Sequence, residues 1–177
     1  MIKEFLKKII PSKILNIYYS IKIRKKFKSK KVKEIFKEIY FQQLWRPEDE
    51  RKNFEYYSGI GSYDKELVNE YVDSVKNFLL TFKNKPDVVD LGCGDFNVGL
   101  KLRKYCRNYI ASDIVNELID HNKKKFKQYD VDFRVLDITK NDLPEAEICF
   151  LRQVLQHLSN NSILSFIRLL KKNINTS

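Results

Sequence analysis

From residue 87 onward, short apolar runs alternate with stretches whose apolar residues recur every three or four positions. The runs at 87–91, 109–112, 131–136 and 147–151 have strand length and are rich in Val, Ile, Leu, Phe and Tyr. Residues 98–105, 117–128 and 160–172 have helical periodicity. Upstream, Leu67, Tyr71, Val75, Phe78 and Leu79 mark an amphipathic helix reaching about residue 81. Such alternation predicts βαβ units, and hence an α/β, Rossmann-like parallel sheet with helices on both faces.

The first third of the chain reads differently. Ile2, Phe5, Leu6, Ile9 and Ile10 have helical spacing, with lysines on the other face, and Pro11 ends the pattern. Ser12 is placed to cap a second helix carrying Ile14, Ile17, Tyr18 and Ile21 on one face. A basic run over 24–33 follows, then a third pattern in Val32, Ile35, Phe36, Ile39 and Tyr40. Trp45, Arg46, Pro47 and the charged residues 48–52 read as a connector, and 58–62 as a turn-rich loop. The expected organisation is a basic amphipathic helical extension over 1–54, followed by a Rossmann-like domain over 55–177.

Charge sharpens this division. Residues 1–40 hold 13 Lys and Arg against 3 Asp and Glu, whereas the remainder holds 21 against 20. The excess of +11 therefore belongs almost wholly to the extension. Three partners suit it: an anionic membrane surface met through residues 1–33, nucleic-acid phosphates, or simply the domain or a second subunit on which a solvated helix packs. Residues 1–10 are too interrupted by charge for a signal peptide, and no apolar stretch reaches the roughly 20 residues that span a bilayer. The three cysteines form no C-x-x-C pair. A reduced, cytoplasmic setting is expected, peripheral to the membrane if the extension binds lipid. With an apolar share of 43%, close to the globular norm of about 45–50%, wholesale disorder is excluded.

The candidate chemistry lies at the ends of the predicted strands, where doubly wound sheets bind ligands. The first strand runs into Asp90-Leu91-Gly92-Cys93-Gly94, whose glycines allow a tight turn and a close approach of ligand to backbone. The next helix would offer amides to an anionic group. Asp113 ends the second strand 23 residues after Asp90, about the spacing expected of an acid that accepts from two ribose hydroxyls. Asp137 ends the third. Taken singly, each acid could equally be a cap or turn residue.

These features in this order resemble motifs I, II and III of the class I (Rossmann-like) S-adenosylmethionine-dependent methyltransferases. The fourth strand and its sequel, ending Val154-Leu155-Gln156-His157-Leu158, resemble the family's segment after that strand. The resemblance covers about 55–172 and implies S-adenosylmethionine as cofactor. It places Gly92 and Gly94 along the methionine part of the cofactor, with Asp90 beneath. It places Asp113 on the ribose hydroxyls, Ile114 on the adenine face, Asp137 and Ile138 at the adenine ring, and Arg152 near the methionine end or the acceptor. Gly61 and Ser62 would belong to a flanking segment that covers the cofactor. Position 96 is Phe, where dinucleotide-binding loops often need a third glycine. That departure favours S-adenosylmethionine over NAD.

The activity so implied is methyl transfer from the sulfonium to an acceptor. No Asn-Pro-Pro-Tyr-type motif follows the fourth strand, so the acceptor is expected to be a small molecule or a glycan hydroxyl. An RNA acceptor held by the extension, or a non-catalytic S-adenosylmethionine-binding module, are the alternatives. His157 is the candidate general base, or else a packing histidine at a helix start. No metal site is expected. The family's sheet order implies 3-2-1-4 for the four strands seen. The sheet is expected to be truncated after strand 4, leaving an exposed edge through which a homo-oligomer could form.

Overall fold

The computed structural model describes residues 30–46, 50–51 and 56–174. The helices expected over 2–10 and 12–21, most of the basic run and part of the connector lie outside the described residues. Two compact units are distinguished, Met1–Ile35 and Phe36–Ser177, and the whole sheet belongs to the second.

Four parallel strands form the sheet: β1 (Val88–Leu91), β2 (Tyr109–Asp113), β3 (Asp132–Val135) and β4 (Ile148–Phe150). Their order is β3-β2-β1-β4, as the resemblance implied. In register, Val88 pairs with both Tyr109 and Ile148, and Ile110 with Asp132. Five helices accompany the strands: α1 (Val32–Phe41) and α2 (Lys65–Leu79) before β1, α3 (Asn97–Leu102) between β1 and β2, α4 (Asn116–Lys125) between β2 and β3, and α5 (Asn160–Ile174) after β4, with no described helix between β3 and β4. This is the Rossmann-like fold expected from the alternation.

Strand β1 is buried along its whole length, because it is central and covered on both faces. Its period of two divides the core. Val88 joins Leu79, Leu102, Tyr109, Ile119 and Phe133 on one face. Val89 and Leu91 join Ile138, Leu143 and Phe166 on the other. Thus α2, α3 and α4 cover one face, and α5 covers the second. At the amino ends of the strands, Arg107 grips Asp87 with two hydrogen bonds of 2.8 and 2.7 Å and reaches Glu147 at 3.2 Å, tying the approaches to β1, β2 and β4 together. Among the described residues β4 pairs with β1 alone. No described helix is long and apolar enough to cross a membrane.

Candidate cofactor site at the carboxyl ends of the strands

The turn after β1 is built on two glycines. Gly92 (φ +82°) and Gly94 (φ +56°) adopt left-handed backbone that other residues adopt only at a cost. Amides of Gly92 and Cys93 both donate to the Ser112 carbonyl at 2.8 Å, which draws the loop across the end of β2. Space is as restrictive as backbone. A Cβ on Gly92 would run into Val154, and one on Gly94 into the Ser58 hydroxyl.

Phe96 follows in left-handed backbone (φ +62°) and is fully buried. Its ring meets Tyr109, Phe126 and Phe133 edge-on, with centroids 5.0–5.5 Å away. Gly99 makes room for that ring, since a Cβ there would strike Phe96. The position where a third glycine is common therefore keeps the glycine-like conformation, but fills the core with an aromatic side chain. Asp95 caps the same turn. Its carboxylate accepts from the amides of Asn97 (3.2 Å) and Ser58 (3.0 Å) and from the Tyr63 hydroxyl (2.7 Å). The first amide of α3 is thus held within the protein.

Asp113, at the end of β2, lies 19 residues from the loop and meets it directly. Its carboxylate accepts from the amides of Gly94 (3.3 Å) and Val115 (3.1 Å). Burial raises its pKa to about 6, against the pull of the amides of Val115, Gly94 and Ile114 and the Tyr40 hydroxyl. Asp90 lies one residue before the end of β1 and accepts from the buried Tyr109 hydroxyl at 2.9 Å. Burial pushes it up to about 7, offset in part by that hydrogen bond and by Arg152, while Asp113 adds to the rise. Asn122 on α4 ties that helix to the loop by donating to the Gly94 carbonyl at 2.8 Å. Its own carbonyl oxygen is buried with no hydrogen-bond partner.

The structure gathers the remaining expected residues unevenly. Gly92, Gly94, Asp113 and Ile114 stand together, with Asp90 below. Arg152 follows β4 and donates to the Gly61 carbonyl and, at 3.5 Å, to the Ser62 hydroxyl. Its guanidinium lies 5.0 Å from the Tyr71 ring centre. Arg152, Gly61 and Ser62 therefore form one cluster that joins the β4 segment to the loop before α2. Asp137 is different. Leu136, just before it, donates to the Asp113 carbonyl at 2.9 Å, but the Asp137 carboxylate turns onto Thr139 (2.6 and 3.0 Å) and Lys140 (2.9 Å). Ile138 is buried in the core beside Val89, Leu91 and Phe166. His157 stands over Trp45 and Phe36, with ring centroids 5.4 and 5.9 Å away, and burial holds its pKa below the ordinary value.

A family model described as a methyltransferase domain matches residues 88–175, from β1 through α5. The chain belongs to the class I S-adenosylmethionine-dependent methyltransferases. No curated relative matches in sequence. Among solved structures, a Leishmania major S-adenosylmethionine-dependent methyltransferase is 13% identical, with 66% of this chain and 50% of that chain covered and a TM-score of 0.55. Magnesium protoporphyrin IX methyltransferase from Synechocystis, solved with bound S-adenosylhomocysteine, is 18% identical over 79% of this chain and 67% of that chain, with a TM-score of 0.55. An N-methyltransferase from Bradyrhizobium japonicum in complex with S-adenosylhomocysteine is 17% identical over 59% and 55%, with a TM-score of 0.51. At these identities the likeness is one of fold. This methyltransferase-family chain spans 50% of the first of these chains and 67% of the second.

Tyr40, Ser58, Asp95 and Asn122 escape a reading of the sequence. Ser58 lies in a loop whose composition signals only a turn, and Asp95 directly follows the glycines. Tyr40 reads as part of the apolar face of a helix, and nothing local announces that its hydroxyl stands 3.4 Å from where a Gly94 Cβ would lie.

Proposed function

We propose that the chain binds S-adenosylmethionine at the glycine loop and passes its methyl group to a small-molecule or glycan hydroxyl. The observation that carries the cofactor half is Asp113. A buried carboxylate at the end of β2, faced by hydrogen-bond donors and beside two left-handed glycines, is the chemistry that a ribose diol satisfies. Family membership and the bound S-adenosylhomocysteine of two structural neighbours support the same reading.

In this reading Asp113 accepts from the ribose hydroxyls, Ile114 lies against the base, and Gly92 and Gly94 admit the methionine portion close to the backbone. Asp90 holds the loop from beneath through Tyr109. Arg152 fixes Gly61 and Ser62 at the methionine end. The bound cofactor supplies an electrophilic methyl group, so the protein's task is alignment of the acceptor. His157, kept neutral by burial, is the base assigned to an acceptor hydroxyl.

Calorimetry of the folded chain with S-adenosylhomocysteine tests the cofactor half, and absence of heat at any concentration would sink it. Asp113→Ala removes the acceptor for two hydroxyls, each charge-assisted bond being worth about 1.5–3 kcal/mol, so affinity is expected to fall at least a hundredfold. Release of S-adenosylhomocysteine over a panel of hydroxyl and amine acceptors tests the other half. Turnover confined to amines would overturn the hydroxyl assignment.

A further inference from the structure

A groove of about 740 Å³ lies at the end of the sheet away from Asp113. Three of its lining residues lead into strands at their amino ends: Lys85 precedes β1, Tyr105 precedes β2 and Tyr129 precedes β3. Lys76 of α2 and Lys101 of α3 complete its walls, with Lys104 in the turn that ends α3. These four lysines, Lys76, Lys85, Lys101 and Lys104, face a single lining acid, Asp73. Among the described residues none of the four forms an ion pair, and Lys85, Lys101 and Lys104 are exposed. The sequence locates the net positive charge in residues 1–40 and leaves the remainder balanced, at 21 basic residues against 20 acidic. The groove is therefore a local concentration of positive charge in a nearly neutral domain, and a concave surface of one sign focuses its field on an anion.

The groove is held in shape by Arg103. Its guanidinium donates to the carbonyls of Cys106 (2.9 Å), Tyr129 (3.0 Å) and Asp130 (2.9 and 3.0 Å), which fixes the turn before β3 against the end of α3. That leaves the Tyr129 ring 40% exposed at the groove. Tyr105 lines the same groove, with the Lys104 ammonium 5.1 Å from its ring centre. Cations and aromatic faces are thus interleaved, the combination that holds a phosphate backbone and stacks its bases. An acidic peptide would use the lysines and leave the tyrosines without a role. A lipid bilayer is flat and would meet the rim rather than the concavity.

We propose that this groove docks a single strand of nucleic acid, with phosphates on Lys76, Lys85, Lys101 and Lys104 and a base stacked on Tyr129. The proposal is independent of the cofactor reading, since none of these residues belongs to the glycine loop or its partners. It also differs from an RNA held by the extension, because the contacts lie within the folded domain. The strand is a docked partner at the amino ends of the strands, and the hydroxyl acceptor assigned at the carboxyl ends is unaffected.

The test uses the full chain and a labelled oligouridylate of about ten nucleotides, with binding read by fluorescence anisotropy across a salt series. One variant carries Lys76→Gln, Lys85→Gln, Lys101→Gln and Lys104→Gln. A control carries Lys65→Gln, Lys124→Gln, Arg168→Gln and Lys171→Gln, which removes the same charge from exposed positions outside the groove. Each phosphate contact on a single strand contributes about 0.7 to the slope of log affinity against log salt, so the groove variant should lower that slope by about 3 and the control by less than about 1. Tyr129→Ala should weaken oligouridylate binding about tenfold with the slope unchanged, leave binding of heparin (a polyanion without bases) as in wild type, and be rescued by Tyr129→Phe. Equal losses in the two charge variants would assign the binding to net charge and the extension, and overturn the proposal. So would unchanged oligouridylate binding by Tyr129→Ala, or a groove variant that loses phosphatidylserine vesicles while keeping the oligouridylate.

Discussion

At the scale of single residues, Asp113 and Gly99 separate chemistry from packing. Asp113 accepts hydrogen bonds as a carboxylate, and its pKa of about 6 lies within reach of ordinary buffers. Protonation removes an acceptor that the ribose diol needs. S-adenosylhomocysteine affinity is therefore expected to fall as pH drops through about 6 and to level off above about 7, as read by calorimetry at fixed ionic strength. A flat profile would show that Asp113 is not the acceptor. Gly99 is the packing case. Its space is taken by the Phe96 ring, which is closed in by Tyr109, Phe126 and Phe133. Gly99→Ala must displace a ring with nowhere to go, and overpacking of this kind costs about 1–3 kcal/mol, measurable as a lower urea midpoint. The acid was legible from its place after a strand. Phe96 was legible only as a missing glycine, because its left-handed backbone is enforced by partners 13 to 37 residues away in sequence.

At the scale of elements, apolar periodicity located every strand of the sheet within a residue or two, because a central parallel strand has few alternatives to an apolar run. It ran two helices too long. Residues 98–105 divide into α3 and a 3-10 turn over Arg103–Tyr105, and 117–128 into α4 and a turn over Lys127–Tyr129. A 3-10 turn repeats every three residues, so its apolar positions continue the helical stripe and the pattern does not register the change. What sets the first of these ends is tertiary. The Arg103 guanidinium donates to the carbonyls of Cys106 (2.9 Å), Tyr129 (3.0 Å) and Asp130 (2.9 and 3.0 Å), binding the end of α3 to the approach to β3. Its side chain is only 12% exposed, so these bonds are largely shielded from water. Arg103→Ala leaves several carbonyls without donors and is expected to cost about 2–3 kcal/mol by chemical denaturation. Arg103→Lys, which lacks the planar fork, should recover only part of it. Full recovery would mean that charge alone, rather than the fork geometry, matters.

At the scale of the whole molecule, the two ends of the sheet respond to protons in opposite senses. Asp90 and Asp113 at the carboxyl end have folded pKa values near 7 and 6, raised above the ordinary 3.8 chiefly by burial. A raised value means that the folded state holds the proton more tightly than the unfolded chain. Their contribution to stability is therefore complete below about pH 4 and is lost as pH rises through 6 and 7. Asp87 at the amino end is lowered to about 2, first by its hydrogen bond to Arg107. It contributes above about pH 4, and that contribution is lost as pH falls through about 2. Burial lowers both imidazoles, His121 and His157, so these favour the fold at higher pH. They are far less enclosed than the two carboxylates, so the carboxylates decide the sign between about pH 5 and 7.5. The urea midpoint of the ligand-free chain is expected to decline over that range. The cofactor reverses part of this trend, because a diol binds the ionised Asp113. A ligand at about a hundred times its dissociation constant stabilises the fold by about 2.7 kcal/mol, and at fixed concentration this increment shrinks as the site protonates. Saturating S-adenosylhomocysteine should therefore raise the midpoint more at about pH 7.5 than at about pH 5. A ligand-free midpoint that climbs steadily across that range would contradict the buried-carboxylate account. An increment independent of pH would place the ligand away from Asp113.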